Sequence, residues 1–258
     1  MIDTSLHHGD CLEVLSSVAD GSVGMICTDL PYGVTNRDSE AGKWDNVIPF
    51  EPMWELFLRV TKENAAIILF GQGMFSAELM MSNPKMWRYN LVWDKGTPSG
   101  FLNANRMPLR EHEDILVFYR KLPIFHPQMK PCSPNEVVHS RGKLGCPTNN
   151  NYGNRIEVAS KVRCEKCPTS ILHFPKPHYK GQHPTEKPVD LIRWLIRSYT
   201  DEGDIILDAT MGSGTTGVAS VYEQRGFIGI EKDSHWYSIA QKRIDDAKNS
   251  QRQQHLLL

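Results

Sequence analysis

Two short segments combine residue types that suit chemistry. The first, Cys27-Thr28-Asp29-Leu30-Pro31-Tyr32-Gly33, follows the apolar run Val23-Gly24-Met25-Ile26-Cys27. An acidic acceptor, a proline-stiffened turn that aims backbone carbonyls, and an aromatic face suit holding an exocyclic amino group while its ring is stacked. The same residues would also make an ordinary strand-ending turn. The second segment, Leu207-Asp208-Ala209-Thr210-Met211-Gly212-Ser213-Gly214-Thr215-Thr216-Gly217, reads as a strand running into a glycine turn with a helix beyond it. Gly212, Gly214 and Gly217 fit G-x-G-x-x-G, in which glycines let a ligand approach the backbone beyond the strand's carboxyl end. Glu231 closes the next strand, where a carboxylate can accept hydrogen bonds from ribose hydroxyls. Together they imply an adenosine-containing cofactor. A Walker phosphate loop is excluded, because no Gly-Lys-Ser/Thr follows the glycines.

Positioning such turns requires strands that end together. Continuous apolar runs at Val23–Cys27, Ala65–Phe70, Tyr89–Trp93 and Ile115–Tyr119 read as strands covered on both faces, hence a mainly parallel sheet between helices. Pro52–Val60 and Phe75–Met81 carry helical spacing between them, and Val189–Tyr199, Thr215–Gln224 and Ser234–Lys248 do so later, with strands at Asp204–Leu207 and Phe227–Ile230. Only one β-α-β unit and a helix remain after the glycine turn, too little to complete a sheet. Five upstream strands, counting Ser5–His8, must join the two late ones. The expectation is an α/β fold with a seven-stranded, mainly parallel Rossmann-like sheet in circularly permuted order. Residues 1–120 and 183–258 form this catalytic and cofactor-binding domain. Residues 121–182 hold eight prolines, an Asn149-Asn150-Asn151 run and four of the six cysteines, and read as an irregular insertion.

The composition excludes several classes. With 258 residues, 40% hydrophobic and 23% charged, the chain is neither a disulfide miniprotein nor disordered. It has no apolar run of membrane-spanning length and no basic-then-apolar leader, so a cytoplasmic protein without membrane contact is expected. The net charge of -1 conceals an asymmetry: residues 101–198 hold 16 Lys and Arg against 8 Asp and Glu, in an otherwise acidic chain. That basic segment suits either a polyanion or a merely solvated face.

Taken together, the two segments resemble the amino-group DNA methyltransferases that use S-adenosylmethionine, in the permuted β order where the catalytic motif precedes the cofactor motif. Asp29-Leu30-Pro31-Tyr32 is similar to the family's D-P-P-Y tetrad and Asp208–Thr216 to its D-P-F-x-G-S-G-T-T. His183-Pro184-Thr185-Glu186-Lys187-Pro188 resembles H-P-T-Q-K-P, and His8-Gly9-Asp10-Cys11-Leu12 the N-terminal G-D-C motif. The resemblance implies catalysis by Asp29, Leu30, Pro31 and Tyr32. It implies cofactor contacts from Asp10, Cys11, His183, Thr185, Lys187, Asp208, Thr210, Gly212, Ser213, Gly214, Thr215, Thr216 and Glu231. Asp29 and the Leu30 carbonyl would accept the hydrogens of a target amine, Tyr32 would stack on a base flipped out of the duplex, and the methyl would transfer in line. The resemblance further implies adenine N6 rather than cytosine N4 as the target, because the first tetrad position is aspartate rather than serine.

The chain departs from the pattern twice: Leu30 replaces a proline whose carbonyl is the useful atom, and Ala209-Thr210 replace Pro-Phe, losing an aromatic at the cofactor pocket. The implied partners are double-stranded DNA, recognised through residues 121–182, and a cognate restriction endonuclease. The implied source is bacterial or phage, the assembly a monomer or homodimer. Glu111-His112-Glu113-Asp114 matches a family motif near the target pocket, and reads equally well as a charged strand entry. No metal is expected, although Cys132, Cys146, Cys164 and Cys167 leave a zinc site conceivable. A nicotinamide-dependent oxidoreductase would explain Gly212–Gly217 and Glu231 but not Asp29–Tyr32. An RNA or protein amine methyltransferase, or a DNA-binding protein with a decayed site, are further alternatives.

Overall fold

A computed structural model describes residues 3–33, 45–132, 138–139, 162–163, 165–176 and 186–255. The chain divides into two compact units, 1–126 with 170–258, and 127–169.

The larger unit is built on β1 (Thr4–His8), β2 (Val23–Thr28), β3 (Thr61–Gly71), β4 (Trp87–Ser99) and β5 (Arg110–Phe118). Helices α1 (Cys11–Leu15), α2 (Phe50–Val60) and α3 (Met74–Ser82) alternate with the first of these. In the smaller unit, β6 (Lys130–Pro131) pairs antiparallel with β9 (Glu165–Lys166), and β7 (Val138–His139) with β8 (Val162–Arg163). The larger unit resumes with β10 (Ile171–His173), α4 (Val189–Tyr199), β11 (Ile205–Asp208), α5 (Thr215–Tyr222), β12 (Gly226–Glu231) and α6 (Ser234–His255).

Its sheet runs β1-β12-β11-β2-β3-β5-β4-β10. Five of the seven pairings are parallel, and β5 lies antiparallel between β3 and β4. The expected seven strands are therefore eight. The extra one, β10, was hidden because three residues, Ile171-Leu172-His173, carry no periodicity, and pairing with β4 rather than local pattern makes them a strand. It falls within the 121–182 stretch. Strands β4 and β5 are also longer than their apolar runs, extending through charged residues beyond the sheet's covered part. Helix α6 likewise continues to His255.

The apolar runs behave as doubly covered strands must. Ile68 and Phe70 of β3 join Met25, Cys27 and the helices α4 to α6 on one face, whereas Ile67 and Leu69 join Ile26, Phe57 and Leu79 on the other. Helix α2 lies on the second face because Met53, Trp54, Phe57 and Val60 fall on one side of it. The connection from β11 through α5 to β12 thus covers one face, and that from β2 through α2 to β3 the other. The chain's direction of winding reverses between β11 and β2, the point at which open α/β sheets leave a crevice. No helix among the described residues is long and apolar enough to cross a membrane.

Two glycines are required by contact. Gly214 has φ +82°, and a Cβ there would stand 2.9 Å from Ala240 Cα of α6. At Gly217 a Cβ would press on Ile244 and lie 2.7 Å from Phe227 Cε1. Gly217→Val should overpack this junction at a cost of about 1–3 kcal/mol, lowering Tm by several degrees in calorimetry; an unchanged Tm would contradict the packing.

Candidate active site

Strands β2 and β11 are parallel neighbours, with Met25 opposite Ile206 and Ile26 opposite Leu207. Their carboxyl ends bring Asp29 and Asp208 side by side across 179 positions of sequence. The two turns are tied together. Thr210 Oγ1 donates to the Asp29 carbonyl at 3.0 Å, and the Thr28 and Thr210 hydroxyls lie 2.9 Å apart. Asp208 Oδ1 accepts from the Thr210 amide at 3.2 Å. Thr210, read from sequence as the loss of an aromatic, is here the hydroxyl that joins the glycine turn to the acidic turn.

Asp29 receives two donors: Tyr32 Oη at 2.8 Å on Oδ1 and Lys187 Nζ at 2.5 Å on Oδ2. Lys187 also lies 3.3 Å from Glu113 Oε2, and Lys95 Nζ 3.3 Å from Glu113 Oε1. The Lys187 ammonium sits 5.0 Å from the Phe70 ring centre and 5.9 Å from that of Trp93, a setting that favours a cation. Four charges therefore alternate in sign along one chain of contacts, so each buried charge has a partner that offsets its desolvation. Lys187 and Lys95 keep 8% and 5% of their side chains exposed, against 25% for Asp29, so Asp29 is the member of the row most open to a ligand.

Burial raises the Asp29 carboxyl above the usual carboxylate range, while Lys187 pulls it back. Burial would raise Glu113 too, but Lys187 and Lys95 outweigh it and bring it below its usual value. Lys187 itself loses from burial and gains more from its two carboxylates, so it stays charged. Burial and the adjacent Asp29 push the Tyr32 hydroxyl far up, keeping it a donor. The Tyr32 ring is half-buried and stacked on Phe75 of α3, with centroids 4.7 Å apart and planes at 27°. Leu30 is buried in the core under α1 to α3, which gives leucine an apolar role at a position where the resemblance expects proline.

The glycine turn has its own supports. Glu231 Oε2 accepts from the Gly212 amide and Oε1 from that of Asp233, both at 2.8 Å. Arg243 of α6 donates to the Ser213 carbonyl at 2.7 Å and to its hydroxyl at 2.8 Å, and to Glu186 Oε1 at 2.5 Å. Thr215 Oγ1 donates to the same Glu186 oxygen at 3.3 Å. Consecutive residues thus serve both turns: Glu186 holds the glycine turn and Lys187 holds Asp29. Thr216 is buried on α5. Pro31 is half-buried in the acidic turn.

The neighbouring strand ends add two carboxylates. His8 of β1 is in register with Glu231 of β12, which places Asp10 close beyond it. Asp10 Oδ1 caps the Leu12 amide at 3.0 Å and Oδ2 meets Lys232 Nζ at 3.1 Å. Cys11 is buried, and burial pushes its thiol up to about 11. Gly212 has φ +50°, and a Cβ there would meet nothing within 4 Å, so open space lies beside the turn. Acceptors at two strand ends facing an open glycine turn fit an adenosine-bearing group.

His183, Thr185, Cys146 and Cys164 lie outside the described residues. Among the described residues no group of three or more His, Cys, Asp and Glu is arranged to hold a metal ion. Sequence reasoning missed Lys95 and Arg243, which lie in a strand and a helix with no signal to mark them. Glu113 had one, an acidic run inside an apolar strand context.

A family model described as DNA methylase matches residues 23–242. The Type II methyltransferase M2.MboI of Moraxella bovis is 26% identical over 266 residues, 94% of this chain and 88% of that protein. The DNA adenine methyltransferase YhdJ of Escherichia coli (strain K12) is 25% identical over 94% of this chain and 83% of its own. Among solved structures, an M1.HpyAVI–SAM complex aligns with a TM-score of 0.61 and 23% identity, covering 94% of this chain and 99% of the other. The PvuII DNA methyltransferase, cytosine-N4-specific, aligns with a TM-score of 0.67 and 15% identity over 96% and 92%.

Burial pushes Asp208 up to about 6 from an ordinary 3.8, against hydrogen bonds from Thr216, Thr28 and the Thr210 amide. Between those values the folded chain keeps a proton that the unfolded chain releases, so rising pH through this window costs stability. Relative to Asp208→Asn, whose side chain does not titrate, the wild type should lose about 2–3 kcal/mol between pH 4 and pH 7 in urea denaturation. A difference that does not vary with pH would refute the assignment.

Proposed function

Because the chain belongs to the DNA methylase family, we propose that it transfers a methyl group from S-adenosylmethionine to the N6 amino group of adenine in double-stranded DNA. The observation that carries this reading is the Asp29 carboxyl, held by Lys187 and open at the crevice beside the glycine turn. Glu231 would meet the cofactor's ribose hydroxyls and Asp10 its adenine ring, with the 208–216 turn toward the methionine end, to which the motif resemblance also assigns His183 and Thr185. When bound, S-adenosylmethionine supplies a methyl group made electrophilic by its sulfonium.

The residues of this chain handle the amine. An adenine N6 lone pair is delocalised into the ring and nucleophilic only when the amine is pyramidal. Asp29 and the Leu30 carbonyl accept its two hydrogens and localise the lone pair toward the methyl. Pro31 stiffens the turn that aims these acceptors, and Tyr32, backed by Phe75, is the platform for the flipped base. Thr210 fixes the Asp29 backbone relative to the glycine turn, which sets the distance between amine and methyl. Residues within 121–182 would read the recognition sequence. Similarity to Type II methyltransferases supports a companion restriction endonuclease, with the enzyme acting on cytoplasmic DNA as monomer or homodimer.

Cytosine N4 is the second reading, since its amine would meet the same acceptors and a cytosine-N4-specific enzyme shares the fold. Nucleoside mass spectrometry of unmethylated bacterial DNA after incubation with S-adenosylmethionine distinguishes them. N6-methyladenine is expected, with Asp29→Ala slower by about 10²–10³. N4-methylcytosine would change the base, and the absence of both products would overturn the reading. Lys187→Met removes the charge that lowers the Asp29 pKa, so the acid limb of the pH–rate profile should move to higher pH; a limb that stays in place would separate Lys187 from Asp29 ionisation.

A further inference from the structure

The hairpin arm formed by β4 and β5 reaches beyond everything the site uses. Strand β4 runs parallel to β2, since each lies antiparallel or parallel to intermediates that fix its direction, so the arm leaves the sheet at the edge that carries Asp29. Lys95 and Glu113, at the level of the Asp29–Lys187 pair, belong to its lower part. The register slips between Asp94 and Ser99, so from Glu113 to Arg110 the ladder advances only three residues, on the order of 10 Å at ~3.3 Å each, and residues 100–109 close the tip beyond it.

The tip is shaped. Ser99 pairs with Arg110 across its base, and the Ser99 hydroxyl donates to the Arg110 carbonyl at 3.1 Å. Gly100 takes a left-handed φ of 87°, and a 3-10 turn at Phe101–Asn103 follows, closed by Asn103 N to the Gly100 carbonyl at 2.9 Å and Arg106 N to the Asn103 carbonyl at 2.8 Å. Arg110 is braced by Gln72 at 2.9 Å. Upon this frame three large apolar side chains face water: Leu102 at 99%, Phe101 at 65% and Met107 at 51% exposure. Clusters of that kind mark surfaces that meet a partner. Residues 96–109 contain no Asp or Glu, and Arg106 and Arg110 belong to the same tip as the apolar group. An apolar point with two arginines and no carboxylate in its loop suits a partner that is anionic outside and apolar within, which describes a nucleic-acid duplex with its phosphates around stacked bases.

We propose that Leu102 and Phe101 form a wedge that enters the duplex and fills the gap left when the target base turns into the Asp29 pocket, while Arg106 and Arg110 hold the flanking phosphates. The proposal rests on the DNA methylation assigned above and adds the residues that keep the base out. A gap in the stack leaves apolar base faces unpaired with any surface, and apolar side chains inserted between base steps replace that contact.

The test uses the full-length protein and a synthetic duplex carrying the sequence that wild type marks on genomic DNA. The target is placed opposite either its normal partner or an abasic site, which makes flipping easier. With labelled S-adenosylmethionine, Phe101→Ser/Leu102→Ser should slow methylation of the paired duplex roughly ten- to a hundredfold and that of the abasic-opposed duplex by less than about threefold. Both side chains face water, so the variant's Tm should match wild type. Equal wild-type and variant rates on the paired duplex would overturn the wedge. Equal loss on both duplexes, with a change of sedimentation from dimer to monomer, would instead make the tip a contact between copies. Failure of the wild type to mark any DNA would remove the proposed function itself, an outcome distinct from any variant effect.

Discussion

Two parallel strands that end side by side, β2 and β11, create the place where everything else at the site meets. Parallel pairing aligns their carboxyl ends, and helices covering opposite faces part there to leave a crevice. An acidic turn leaves one strand and a glycine turn the other. Alignment by the sheet alone would fix their separation only to the precision of a flexible turn. The Thr210 hydroxyl on the Asp29 carbonyl converts neighbouring turns into one bonded unit.

The electrostatics build on that frame. A carboxylate near the core is costly unless an opposite charge shares its burial, and Lys187 does so for Asp29 and Glu113 together. Lys95 balances the second carboxylate, so the row is neutral in sum. Asp29, held by Lys187 and partly open, presents its carboxyl oxygens as acceptors. Glu186, one residue earlier, fixes Arg243 and Thr215 on the glycine side. A shift of this short segment would therefore disturb both turns at once.

The arm of β4 and β5 shows the same economy of placement. Its buried lower part supplies Trp93, Lys95 and Glu113 to the charge row, and its outer part presents the apolar tip. One hairpin thus touches the chemistry at its base and reaches outward at its end.

Much of this was legible in the residues. Apolar runs without alternation gave doubly covered strands, and the position of Gly212–Gly217 near the end of the chain required the permuted order, because too few residues follow to finish a sheet. Asp29, Tyr32, the glycines and Glu231 announce themselves because their chemistry is local: each needs only its own turn. The eighth strand was not legible, since three residues become a strand only when a neighbour's edge offers hydrogen bonds. Nor was the Asp29–Lys187–Glu113–Lys95 row, whose members come from the end of β2, the β4–β5 hairpin and the segment before α4, or the conversion of Thr210 from a missing aromatic into a bridging hydroxyl. Sequence determined which groups are present and which turns they sit on. Tertiary structure alone decided which charges share a desolvated volume, because Coulomb energy depends on distance and surroundings through space, and the sequence order carries neither.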